Sequence, residues 1–220
     1  MEKEHLPGCL RCREGIEVTM INTIVLDIGN VLAHFRWEEY LKECGYEEDI
    51  IRKIGNATVR SELWLEWDRG VQEEAELIKL CCMQEPNVEK EIRAFFDNIY
   101  SFVKEYDYSA EFVQQLKANG YRVYLLSNYS SWHFNIHKEN FKFIKYVDGG
   151  IISYEVQHVK PEAEIYKKLI EKYDINPLEA VFLDDLQINL EGAKPFGFHT
   201  ILVKSFEQAI EELRQLGVRV

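Results

Sequence analysis

A chain of 220 residues, 46% hydrophobic and 13% aromatic with few prolines, is long enough for one substantial core or a core with a smaller insertion, and its composition excludes global disorder. Its 26 Lys and Arg against 38 Asp and Glu give a formal charge of −12, which repels nucleic acid and anionic membranes and points to a small-molecule partner. No apolar run approaches the length of a membrane span and the N-terminus lacks the basic-then-apolar pattern of a signal peptide, so a cytoplasmic location is expected.

Residues 1–19 are polar and charged without periodicity and read as an N-terminal tail, with Met20 an alternative start. The five cysteines, an odd number, fit reduced thiols better than a disulfide framework. Cys9 and Cys12 have metal-like spacing, but with only His5 beside them they lack the second pair that a four-ligand zinc site needs.

The first element is the apolar run Thr23-Ile24-Val25-Leu26, which suits a strand covered on both faces at the centre of a parallel sheet. It delivers Asp27 at its carboxyl end, then turns through Ile28-Gly29-Asn30. In open α/β sheets the ligand crevice lies outside these ends, which makes Asp27 a candidate for chemistry, although an Asp there also serves as a turn former. From Trp37 to Tyr106 the spacing predicts only helices, more than one parallel crossover needs, so an inserted helical cap is expected over residues 36–106. Arg60, Trp64, Trp67 and Arg69 are the cap positions expected to supply inward-facing side chains, and His34 on the loop leading into the cap is the nearest histidine to Asp27 in sequence.

The βα alternation resumes with a helix capped by Ser109 and stopped by Gly120, then a strand over residues 121–126 that ends in Ser127-Asn128. These side chains suit either anion binding or a helix N-cap. A short strand over residues 149–153 precedes Lys160-Pro161-Glu162, read as opening a helix with Pro in its first turn. Residues 180–183 form a buried strand ending in Asp184-Asp185, two adjacent carboxylates that need a cation or a helix dipole to compensate them. A last strand over residues 200–203 and a helix carrying Phe206, Ile210 and Leu213 close the chain. The fold class is α/β, a doubly wound parallel sheet formed by residues 20–35 and 107–220.

In this order, Asp27-Ile28-Gly29-Asn30-Val31, Leu125-Leu126-Ser127-Asn128, Lys160-Pro161-Glu162 and Phe182-Leu183-Asp184-Asp185 with Asn189 resemble the four motifs of the haloacid dehalogenase-like hydrolase superfamily. The resemblance extends from Thr23 to the end and is closest to the branch with a helical cap between the first and second motifs, which includes sugar-phosphate phosphatases. It implies a Rossmann-like core and a Mg²⁺-dependent phosphatase acting on a small phosphorylated metabolite, such as glucose 1-phosphate. It also implies that Asp27 attacks phosphorus, that Ser127, Asn128 and Lys160 hold the phosphate, and that Asp27, the Gly29 carbonyl, Asp185 and the nearby Asp184 bind Mg²⁺. One departure stands out. Most phosphatases of the superfamily carry a second Asp two residues after the nucleophile as general acid, and this chain has Gly29 there. A metal-independent dehalogenase using Ser127, Asn128, Lys160 and Tyr166, or a phosphate-ester-binding protein with weakened turnover, are the alternatives that Gly29 leaves open.

Overall fold

A computed structural model describes residues 20–220; the tail, with Cys9, Cys12 and His5, lies outside the described residues. Strand β1 (Thr23–Leu26) leaves the sheet through a tight turn in which Asn30 takes a φ of 52°, and a short strand β2 (Ala33–Phe35) follows. Five helices come next: α1 (Trp37–Glu43), α2 (Glu48–Ala57), α3 (Glu62–Arg69), α4 (Glu74–Gln84) and α5 (Glu89–Asp97). Strand β3 (Val103–Glu105) returns the chain to the core and pairs antiparallel with β2. This ribbon corrects the all-helical reading of residues 37–106. Two three-residue strands are too short to show a period, and their pairing depends on the cap bringing both crossings together.

The core continues through α6 (Ser109–Ala118), β4 (Arg122–Ser127), α7 (Ser131–His137), β5 (Gly149–Ile152), α8 (Ser153–Val156), α9 (Ala163–Tyr173), β6 (Ala180–Asp184), α10 (Gln187–Ala193), β7 (His199–Leu202) and α11 (Phe206–Gln215). Its five parallel strands run in the order β5-β4-β1-β6-β7, with β1 at the centre. Alternate residues serve opposite faces. Ile24, Leu26, Val123 and Leu183 pack with Phe112 and Leu116 of α6 and Leu213 of α11, whereas Val25, Tyr124, Leu126 and Phe182 pack with Ile165 and Leu169 of α9 and Leu190 of α10. That two-sided covering is the doubly wound arrangement, and each fully buried apolar side chain contributes roughly 1.5–3 kcal/mol.

The cap helices bury a separate cluster of Trp37, Leu41, Ile54, Trp67, Phe95, Phe96 and Phe102. Two local readings change. Ser109 is the first helical residue rather than the cap, and its Oγ donates to the Leu32 carbonyl at 2.7 Å, tying α6 to the first crossing. Pro161 lies before α9, whose N-cap is Glu162, because the chain first turns back through the Val159 carbonyl, which accepts the Glu162 N–H at 2.8 Å. Among the described residues no helix is long and apolar enough to cross a membrane.

Candidate active site

Parallel β1, β4 and β6 end at one edge of the sheet, which gathers residues far apart in sequence. Asp27 follows β1, and its Oδ1 accepts the Ile28 N–H at 2.7 Å and stands 3.0 Å from the Lys160 Nζ. The Lys160 ammonium also donates to Asp184 Oδ2 at 2.6 Å. With 2% of its surface exposed, Lys160 is a buried cation spanning two carboxylates. Asn128 holds its backbone in place: Nδ2 donates to the Lys160 carbonyl at 3.0 Å, and the Lys160 N–H donates to Oδ1 at 2.7 Å. Ser127, at the end of β4, is buried and lines the same space.

Asp184 is saturated by protein donors. Its Oδ1 accepts the Leu186 N–H at 2.8 Å, and the Asn189 Nδ2 reaches both its oxygens at 3.0 and 3.1 Å. Asp185 is less enclosed, and the Asn30 Nδ2 donates to its Oδ2 at 2.9 Å. Oxygens of Asp27, Asp184 and Asp185 all lie within 4.8 Å of one another. Burial pushes the Asp27 carboxyl up to about 7, Lys160 opposes the rise, and Asp184 and Asp185 add to it. Asp185 is raised by burial as well, with the Asn30 hydrogen bond opposing. Burial alone would lower the Lys160 ammonium, but Asp184 and Asp27 outweigh it and hold it above the ordinary lysine value. Three clustered carboxylates facing one ammonium leave an excess of negative charge, and oxygen donors of this kind suit a hard divalent cation.

A cavity of about 540 Å³ opens from this edge toward the cap. Its core side carries Asp27, Gly29, Asn30, Ser127, Asn128, Lys160, Asp185 and Asn189, and its cap side Phe35, Val59, Arg60, Trp64, Leu65, Asp68, Ile99 and Val103. Of the expected cap positions, Arg60 and Trp64 line the cavity. Trp67 is buried in the seam between cap and core, its ring 4.2 Å from that of His133, and Arg69 turns away to Glu162 at 2.8 Å. His34 is outside, stacked on Tyr106 and 3.8 Å from Glu39. Tyr166 is buried behind the site, donating to the Asn189 carbonyl at 2.6 Å.

A family model of haloacid dehalogenase-like hydrolases matches residues 21–197. The chain belongs to this family. Across 199 residues it is 27% identical to D-ribitol-5-phosphate phosphatase of Bacteroides thetaiotaomicron, covering 82% of this chain and 91% of that one. A 72-residue stretch, 33% of the chain, is 39% identical to bifunctional epoxide hydrolase 2 of Rattus norvegicus but spans only 13% of that protein's length. The HAD family enzyme bt-2542 of Bacteroides thetaiotaomicron, solved in complex with magnesium and inorganic phosphate, superposes with a TM-score of 0.65 at 28% identity. That superposition covers 84% of this chain and 96% of the other. The chain is accordingly a hydrolase of the HAD family, with a parallel Rossmann-like sheet and a helical cap.

Sequence reading passed over several cavity residues, Asp68, His133 and His137 among them. Asp68 lies four residues after Trp64 on α3, so the two share a helix face, and an acid on an otherwise aromatic face was the available signal. His133 and His137 repeat the same spacing on α7, each with an Nε2 that has no hydrogen-bond partner among the described residues. Burial keeps both imidazoles below the ordinary histidine value and hence neutral at neutral pH.

Proposed function

We propose that this chain is a Mg²⁺-dependent phosphatase that hydrolyses a small phosphorylated metabolite through an aspartyl-phosphate on Asp27. The observation carrying the reading is the cluster of Asp27, Asp184 and Asp185 around buried Lys160 at the floor of the cavity. The carboxylates of Asp27 and Asp185 and the main-chain carbonyl of Gly29 would hold the ion. Asp184, already saturated, anchors Lys160 and the loop through Asn189. Bound Mg²⁺ supplies positive charge that keeps Asp27 ionised and offsets the charge of the transferring phosphoryl group.

An ionised carboxylate needs no base to activate it, so Asp27 attacks directly. Lys160, the Ser127 hydroxyl and Asn128 orient the phosphoryl oxygens, in a reaction that depends chiefly on positioning and charge neutralisation. A dehalogenase has no use for the acidic pair, which would place negative charge beside a departing halide.

The finer substrate expectation is a sugar phosphate such as glucose 1-phosphate or a pentitol phosphate, in line with the resemblance to sugar-phosphate phosphatases and the likeness to D-ribitol-5-phosphate phosphatase. The apolar part of the wall, Phe35, Val59, Trp64, Leu65, Ile99 and Val103, favours a second reading, a phosphate ester of a largely apolar alcohol, because apolar surface laid against it leaves water. Phosphate release from glucose 1-phosphate, ribitol 5-phosphate and prenyl phosphate, with Mg²⁺ and with chelator, separates the readings. Metal-dependent release is expected; metal-independent halide release from 2-chloropropionate, or ester binding without turnover, would overturn the proposal. Asp185→Asn is expected to raise the Mg²⁺ concentration for half-maximal rate by at least about tenfold, read from a metal titration. An unchanged titration would remove Asp185 from the ligand set.

A further inference from the structure

We infer that Asp68, delivered by the cap, is the proton donor to the leaving oxygen and then the base for water, taking the part left vacant at Gly29. The inference rests on the phosphatase reading above. Asp68 is 7% exposed and lines the cavity whose floor is Asp27 and Lys160. Both neighbours fasten the last turn of α3 to the core: Trp67 packs on His133, and Arg69 pairs with Glu162. The Asp68 carbonyl accepts the Ser153 Oγ at 2.5 Å, and Gly70 at φ +74° ends the helix so close to Tyr154 that a Cβ would meet its Cβ at 2.8 Å. The last turn of α3, and with it Asp68, is therefore fixed against the core at the cavity wall.

The titratable groups that line the cavity with Asp68 are Asp27, Lys160 and Asp185 from the core edge, Tyr129, His133 and His137 from the segment carrying α7, and Arg60 and Glu62 from the cap, with Arg60 paired to Glu38. Glu66 and Arg69 on its own helix pair with each other, and Arg69 also reaches Glu162, away from the cavity. Burial pushes Asp68 up to about 8; the Ser130 hydrogen bond and Lys160 oppose the rise, and Asp27 adds to it. The acid thus carries its proton at neutral pH. Its rivals do not fit. His133 and His137 are neutral imidazoles, and Tyr129 is bonded to the His137 Nδ1 at 2.8 Å and held far above the ordinary phenol value.

As an Asp27 oxygen bonds to phosphorus, the bond from phosphorus to the leaving oxygen breaks, and its electron pair takes the Asp68 proton to give a free alcohol. The Asp68 carboxylate then accepts a proton from the water that attacks the aspartyl-phosphate, returning inorganic phosphate, the Asp27 carboxylate and a protonated Asp68.

The test compares 4-nitrophenyl phosphate with an alkyl phosphate, using the full chain with Mg²⁺. Asp68→Asn is expected to lower kcat on the alkyl ester by ~10²–10⁴-fold while largely sparing the nitrophenyl ester, whose oxygen leaves without a proton. The alkaline fall in the wild-type kcat for the alkyl ester, near pH 8, should vanish with it. Asp68→Glu should recover part of the rate. A Cβ added at Gly29 would meet no heavy atom within 4 Å beyond its chain neighbours, and Gly29 is not among the positive-φ residues, so Gly29→Asp should rescue Asp68→Asn. An equal loss on both esters, or a rise in KM alone, would overturn the assignment while leaving the phosphatase reading intact. Absence of Mg²⁺-dependent phosphate release by the wild-type chain from either ester would overturn both.

Discussion

Asp27→Asn is expected to lower phosphate release by at least about 10⁴-fold while the chain stays folded. The amide is not a nucleophile, yet it keeps an oxygen for the Ile28 N–H, which donates at 2.7 Å in the native protein. The substitution also removes a carboxylate that burial and two neighbouring acids already disfavour, and leaves Lys160 paired with Asp184 at 2.6 Å. The stability change should therefore stay within about 2 kcal/mol by urea denaturation. Full activity in this variant would exclude a covalent mechanism through Asp27; a large loss of stability would show that the carboxylate holds the turn rather than the substrate.

Lys160→Met is the change with the largest expected effect on stability. It keeps the length of a side chain that is 1% exposed, but it takes away the one donor shared by Asp27 and Asp184, so two buried carboxylates face each other. Removing one partner from a buried pair costs about 3–5 kcal/mol, since the remaining charge is left uncompensated. Turnover should fall by ~10²–10³-fold as well, because a donor aimed at the phosphoryl oxygens is lost. Addition of Mg²⁺ should recover part of the stability but not the rate. Were denaturation unchanged without metal, the ion pairs of Lys160 would not be holding the site together.

The core was legible because its signals are local. Each buried strand is a short apolar run with turn residues after it, which places Asp27, Ser127 and Asp184-Asp185 at carboxyl ends from sequence alone. Lys160 came from the motif Lys-Pro-Glu, but its partners did not: one ammonium bridging Asp27 and Asp184 depends on how β1, β6 and the segment before α9 converge. The cap was legible as a run of helices and illegible in its inward face. Trp67 and Arg69 flank Asp68, and the two conspicuous residues are structural anchors, whereas the plain acid between them reaches the cavity. Helical spacing tells which residues share a face but not which face the core will meet. The β2-β3 ribbon escaped for a related reason, because Ala33–Phe35 and Val103–Glu105 become strands only when both crossings into the cap lie side by side.

Trapping a phosphorylated Asp27 tests the covalent mechanism most directly. The chain is mixed with ³²P-labelled ester and Mg²⁺ and quenched in acid, where an acyl phosphate survives, then digested and mapped by mass spectrometry. Label is expected on the peptide containing Asp27, lost on treatment with hydroxylamine and absent from Asp27→Asn. Phosphate release by the wild-type chain with no label on that peptide, or label that resists hydroxylamine, would contradict the covalent mechanism.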